Sequence, residues 1–271
     1  MSRFSRFFAA LGICGLTTAC GTTYQLPELG AGQSDTATRM FAEARAEGPR
    51  QPLSAAAAER RFQRVAARIQ PTGRRYCETL AREGSSIDCN VALEIDRKMK
   101  QRNAYFTYDG KAPVIRISMP MLQDSASDDE VAFILGHEYG HLIGRHIQKQ
   151  QQQALAGALI LGVITAAATA NASSYNPNTV SQSMDLGAAA GSMAYSQTYE
   201  LESDTLGTRI ADAAGYDPVK GAKFFARSEA ARTTAGNLSF WGTHPPDAKR
   251  LATVLATKQQ IDANIGLQKV Q

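Results

Sequence analysis

The chain has 271 residues, enough for one large domain or two small ones. Its 44% apolar and 20% charged composition excludes an intrinsically disordered polymer. The net charge is only +4, two of those charges are Arg3 and Arg6, and no dense basic stripe exists, so no nucleic-acid partner is expected.

Residues 1–19 have the shape of a secretory leader. Arg3 and Arg6 precede an apolar run from Phe7 to Leu16 that is too short to span a bilayer. The following "LTTAC" resembles a bacterial lipobox, with Thr17 at the place where leucine is usual and Leu16 one position further back. The resemblance implies a lipid on Cys20 that holds the protein to a membrane. With Gly21 next, it implies the periplasmic face of the outer membrane. Cys14 is a poorer acceptor because bulky Ile13 precedes it. Cys77 and Cys89 then remain as an even pair in an oxidising compartment, and one disulfide between them is expected.

Residues 20–50, rich in Gly, Thr, Ala, Gln and Pro, read as a lipidated N-terminus and flexible tether, and residues 51–271 as the folded domain. From Ser54, strong helix formers place Phe62, Val65, Ala66 and Ile69 on one face, and Pro71 predicts the end of that helix. A second short helix is expected around Cys77 and Leu80. Val91, Leu93 and Ile95 alternate as in a strand. Two β-rich runs then flank Asp109-Gly110, which predicts a hairpin whose second strand, about Val114 to Ser118, starts at a sheet edge beside Pro113.

The stretch from Ser125 to Gln153 reads as one long helix, opened by a Ser127–Glu130 capping box. Gly136, Gly140 and Gly144 at four-residue spacing imply close approach of another element. Ala154 to Ala170 is apolar but lacks aromatic anchors. A buried or surface-docked helix fits it best, with membrane contact or a true span as the alternatives. Residues 171–183 read as a loop, Met184 to about Gln197 as a helix leading into "YELESD", and Asp217-Pro218 as the start of another helix. The chain ends with a loop, "FWGTHPP", and a final helix.

Two of the four histidines stand in "HEYGH". On a helix, residues four apart point about 40° from each other, so His137 and His141 can share one metal ion. Glu138 lies beside them as a candidate general base. His146, projected along the same helix, falls about 140° from His141 and is expected on the solvent side. A catalytic zinc site needs a third protein ligand, and no other closely spaced histidine exists. Glu200 and Asp204 share a face one turn apart, whereas Glu202 points away and is expected to face solvent.

"HEYGH", then "ELESD" some sixty residues on, then "THPP", in that order from about residue 55 to 258, resembles the M48 zinc metallopeptidases. The lipoprotein start is similar to their short periplasmic members. The resemblance implies a mainly helical α+β, zincin-like domain with a small sheet or hairpin beside the HExxH helix. It implies one zinc ion held by His137, His141 and Glu200, with Asp204 orienting a histidine from behind. It also implies an active-site role for His244, either as an inhibitory fourth ligand or as a stabiliser of the transition-state oxyanion. The expected substrates are unfolded or misassembled envelope proteins, bound as an extended strand against the Val114–Ser118 edge. The alternative is a latent protein that acts mainly as a chaperone or assembly factor.

Overall fold

The computed structural model describes residues 21–48, 50–81, 87–169, 177–193, 196–227 and 239–270. The leader and Cys20 lie outside the described residues. Two compact units emerge: one comprises Thr22–Gln150 with Ser196–Gln271, and the other includes Gln151–Tyr195.

The larger unit opens with α1 (Ala31–Ala46), which corrects the expectation of a tether across residues 20–50. Ala37 and Ala44 are buried, and Met40 and Phe41 between them pack on the core. That spacing forms one helical face, although the segment is polar on average. α2 (Ala55–Ala81) is a second correction, because it runs through Pro71. The ring costs one backbone hydrogen bond. Burial of Ile69, Thr72, Gly73 and Cys77 on both sides of it keeps the helix continuous, and the two short helices expected here are one. Cys77 is joined to Cys89 by a disulfide with a Cα–Cα distance of 5.7 Å.

Strands β1 (Ala92–Asp96), β2 (Ala104–Asp109) and β3 (Ala112–Ser118) form a sheet in the order β1-β3-β2. β2 and β3 make the expected hairpin about Gly110, whose φ is +60°. β1 pairs with β3 in parallel, Leu93 opposite Ile115. β3 is therefore the central strand and not an edge, and the strand available on the hairpin side is β2. Pro113 fits within β3 because a proline disturbs only the one ladder position it occupies.

After α3 (Met119–Asp124), α4 (Asp128–Ile143) carries the HEYGH motif. Ser127 accepts a hydrogen bond from the Glu130 N–H, while the Glu130 carboxylate accepts from the Ala126 N–H and from Arg50. α4 stops at Gly144, and Arg145 adopts a left-handed φ of 57°. The long helix expected from Ser125 to Gln153 is thus two helices, and α5 (His146–Thr169) begins after the break.

α5 has no charged residue beyond Lys149, and the next in the chain is Asp185. Leu155, Leu159, Ile160, Val163 and Ile164 are exposed, so this is not a buried core helix. Its length and composition would suffice to cross a membrane. α6 (Pro177–Met193) replaces most of the expected loop 171–183, with proline at the first helical position. In this smaller unit Gly162 of α5 lies against Met184 of α6.

α7 (Ser196–Ala213) is buried from Tyr199 to Ala211. The chain closes with α8 (Pro218–Ala222), a 3-10 turn at Lys223–Ala226, the one-turn α9 (Phe240–Thr243) and α10 (Ala248–Asp262). Phe133, Phe224, Phe225, Phe240 and Trp241 form the aromatic part of the core beneath the motif.

α4 and α7 pack backbone to backbone. A Cβ on Gly140 would lie 2.6 Å from the Ser203 Cα, and one on Gly136 would lie 2.9 Å from the Gly207 carbonyl oxygen. Two of the three spaced glycines thus serve the close approach that their spacing implies. Gly144 ends the helix instead.

Candidate metal centre

The α4–α7 contact brings three side chains to one point. His137 Nε2 and His141 Nε2 are 3.0 Å apart. Glu200 on α7 places one carboxylate oxygen 3.4 Å from His137 Nε2 and the other 3.4 Å from His141 Nε2. A tetrahedral zinc with bonds of about 2.1 Å separates its ligand atoms by about 3.4 Å, so these edges fit a metal. Glu200 Oε2 and Glu138 Oε1 are buried without a hydrogen-bond partner, as expected of oxygens facing such a centre. His244 joins the group: one ligand atom from each of His137, His141, Glu200 and His244 falls within 4.8 Å of the others.

His137 is fully buried, and its Nδ1 meets Asp204 Oδ1 at 2.9 Å. Asp204 is gripped by Arg250, with Nε to Oδ2 at 2.7 Å and Nη2 to Oδ1 at 2.8 Å. The Arg250 guanidinium lies over the Phe225 ring at 4.0 Å and reaches Glu200 Oε2 at 3.3 Å. Burial alone would lower the His137 pKa, but the Asp204 and Glu200 carboxylates outweigh it and raise it to about 9 in the metal-free protein. Burial likewise opposes charge on Asp204, and Arg250 overcomes it, leaving that carboxyl below its usual range. Glu200 is held well below the carboxylate range against its burial, by His244, Arg250 and the two motif histidines.

Glu138 is buried next to the centre. Its Oε2 accepts a hydrogen bond of 2.9 Å from the Phe106 N–H on β2, and its Oε1 lies 3.6 Å from His244 Nε2. Burial raises its pKa. The two glutamates are therefore pushed in opposite directions, one toward holding a proton and one toward permanent charge, the pattern of a general base beside a ligand. His244 stacks on Phe240 at 4.4 Å, and burial lowers its pKa well below the usual value, against the pull of the Glu200 carboxylate. A pocket of about 180 Å³ opens onto these groups, lined by Tyr105, Phe106, Glu138, His141, His146, Glu200 and His244 among others.

All the residues singled out around the motif, His137, Glu138, His141, Glu200, Asp204 and His244, come together here. The sequence model of peptidase family M48 matches residues 63–258. The chain belongs to peptidase family M48. It is a metallopeptidase, and hydrolysis in this family depends on a metal. A search of curated proteins found no match.

Two expectations about this M48 site are corrected. His146 is buried, not solvent-facing, and its Nδ1 lies 2.9 Å from His141 Nδ1. The projection assumed an unbroken helix, and the turn at Arg145 swings His146 back toward the motif. Glu202 is fully buried as well and meets His146 Nε2 at 2.8 Å. The error here was to assume a solvent face for α7, which has none between Tyr199 and Ala211. Arg250 was missed altogether. A lone arginine six residues past His244 carries no local signal, and only the fold brings it onto Asp204.

Proposed function

We propose that the protein is a zinc endopeptidase of the bacterial cell envelope, held by a lipid on Cys20 at the periplasmic face of the outer membrane, that cleaves unfolded or misassembled envelope proteins. The observation that carries the reading is the convergence of His137, His141 and Glu200 with edges of 3.0 and 3.4 Å. The N-terminal "LTTAC" and the Cys77–Cys89 pair support the compartment.

His137, His141 and Glu200 would hold the zinc. When bound, zinc lowers the pKa of water toward neutrality and polarises the scissile carbonyl. Glu138 takes the proton of the attacking water at its free Oε1 and passes it to the leaving amine. The Phe106 N–H fixes the other oxygen and so aims the carboxylate. β2, an outer strand of the sheet, is the edge along which an extended substrate would pair.

One observation favours the second reading, a latent protein acting mainly as a chaperone or assembly factor. Thr243 Oγ1 has acceptors at Phe240 O (3.0 Å) and Ser239 O (3.3 Å) for its single proton. When it donates to either carbonyl, its oxygen is left to accept from His244 Nδ1, 2.8 Å away. That leaves the His244 Nε2 lone pair facing the centre, suited to be a fourth ligand and not to donate to an oxyanion.

The test is casein cleavage by the full chain, with zinc quantified in the same sample. About one zinc per chain and cleavage that falls by about 10²-fold or more in Glu138→Gln, with zinc retained, is the expected result. Undiminished cleavage in Glu138→Gln removes it from the base role. A large gain of cleavage in His244→Ala moves the protein to the latent reading.

A further inference from the structure

A line of hydrogen bonds leads from the outer motif histidine to the segment at Thr23–Tyr24, and the site chemistry described above does not use it. It begins at backbone N–H groups, which can only donate. The backbone N–H groups of Thr23 and Tyr24 both donate to Glu202 Oε1 at 2.6 Å. Glu202 Oε2 meets His146 Nε2 at 2.8 Å, and His146 Nδ1 meets His141 Nδ1 at 2.9 Å.

Two N–H donors on Oε1 and the Lys149 ammonium 3.8 Å from Oε2 favour an ionised Glu202, and in that form the carboxylate only accepts, so His146 Nε2 carries the proton. In the neutral ring His146 Nδ1 then accepts, and His141 Nδ1 must donate. His141 is left with a bare Nε2, which faces His137 Nε2 and Glu200. The His146 ring is fixed by stacking on Tyr199 at 4.5 Å, and the Ser203 hydroxyl lies 3.3 Å from its Nδ1. The far end is anchored too: the Thr23 hydroxyl accepts from Lys149 Nζ at 2.8 Å, and Tyr24 bridges to Lys269 near the C-terminus.

We infer that His146 is a positioning residue for the peptidase reaction, holding His141 with its Nε2 lone pair toward the metal, and is itself held by Glu202 on the N-terminal segment at Thr23–Tyr24. The inference rests on His141 being a metal ligand. It ties Thr23 and Tyr24, near the start of the described residues, to the metal centre. An imidazole stands here where His137 has a carboxylate, and groups in this position tune a metal's affinity by about ten- to a hundredfold.

The experiment is zinc affinity of the metal-free full chain, measured by competition with a chromophoric chelator, with thermal melting in parallel. H146F keeps a ring against Tyr199 but removes both hydrogen bonds, and should weaken zinc about ten- to a hundredfold. H146Q can accept from His141 and donate to Glu202, and should recover most of that loss. E202Q is nearly isosteric. Its carboxamide oxygen must stay with the two backbone N–H groups, so its NH2 meets His146 Nε2 and reverses every donor as far as His141. That puts a proton on the nitrogen a metal needs bare, and zinc should weaken by a similar factor.

T23P removes one of the two backbone donors and should cost a few-fold. A merely structural role would lower the melting temperature and leave zinc affinity where it was. Wild-type affinity in folded H146F or in E202Q overturns the inference, and should H146F fail to fold, E202Q decides alone. H141A separates this from the underlying reading: wild-type zinc affinity there would remove His141 as a ligand.

Discussion

The two histidines of the motif are held by different kinds of structure. On the inner flank, His137 leans on Asp204, which is locked to Arg250, and all three are essentially without solvent. On the outer flank, His141 is partly exposed and leans on a neutral ring, which passes its hold to Glu202 and the N-terminal segment. The inner flank is a buried ion pair, whose loss strands a charge. The outer flank is a relay of hydrogen bonds, whose loss leaves mainly a less well oriented ligand. The first should fail as folding and the second as metal affinity.

The strongest way to break this contrast is Asp204→Ala. It leaves Arg250 buried with the more distant Glu200 carboxylate and His244 carbonyl, and should cost about 3–5 kcal/mol of stability in the metal-free protein. Urea denaturation measures it, and a loss under about 1 kcal/mol would mean the inner flank is no more a folding element than the outer one. Next is Cys77→Ser. The bridge spans 12 residues, so under oxidising conditions its removal should cost about 3 kcal/mol while zinc affinity stays unchanged. A change in zinc affinity would show that the centre responds to lost stability from anywhere, and the division between flanks would fall.

Gly140→Ala touches both flanks at once. The new Cβ would press on Ser203, and overpacking of this kind costs about 1–3 kcal/mol. Stability and zinc affinity should drop together, as neither single-flank variant predicts. The smallest effect is in protons. His137 has its metal-free pKa raised from 6.5 to about 9, so its proton stabilises the metal-free fold fully below about 6.5. That stabilisation is lost as pH rises through about 9. Zinc needs the neutral ring, so binding at pH 7.5 should release about one proton, and at pH 10 almost none. Calorimetry in buffers of different ionisation enthalpy reads this directly, and no pH dependence would place the proton elsewhere.

The sequence shows His137, Glu138 and His141 plainly, because they obey the period of a single helix, and Glu200 and Asp204 share a face in the same way, with their roles implied by the M48 resemblance. It hides the outer flank. His146 belongs to a different helix from His141; the left-handed residue at the break is Arg145, and Gly144 beside it reads as one of three glycines spaced for close approach. Glu202 looked solvent-facing because a polar residue on a helix usually is, and α7 is an exception because α4, α8 and α10 all pack against it. Arg250 and the parallel β1–β3 pairing depend on contacts between distant residues, which no local pattern encodes. The hairpin was legible from Asp109-Gly110, but its place in the sheet was not. α1 escaped notice because alanine supplies much of its buried face.

Contact between α4 and α7 through Gly136, Gly140, Gly207 and Ser203 leaves no compressible side chain between the helix that carries His137 and His141 and the helix that carries Glu200. Sliding either helix would drive backbone into backbone. The centre therefore behaves as a rigid tripod, assembled when the core folds and not taken apart by small motions afterwards. Any control of such an enzyme has to act on access, by covering the pocket or filling its remaining coordination position, because the tripod itself has no soft joint to bend.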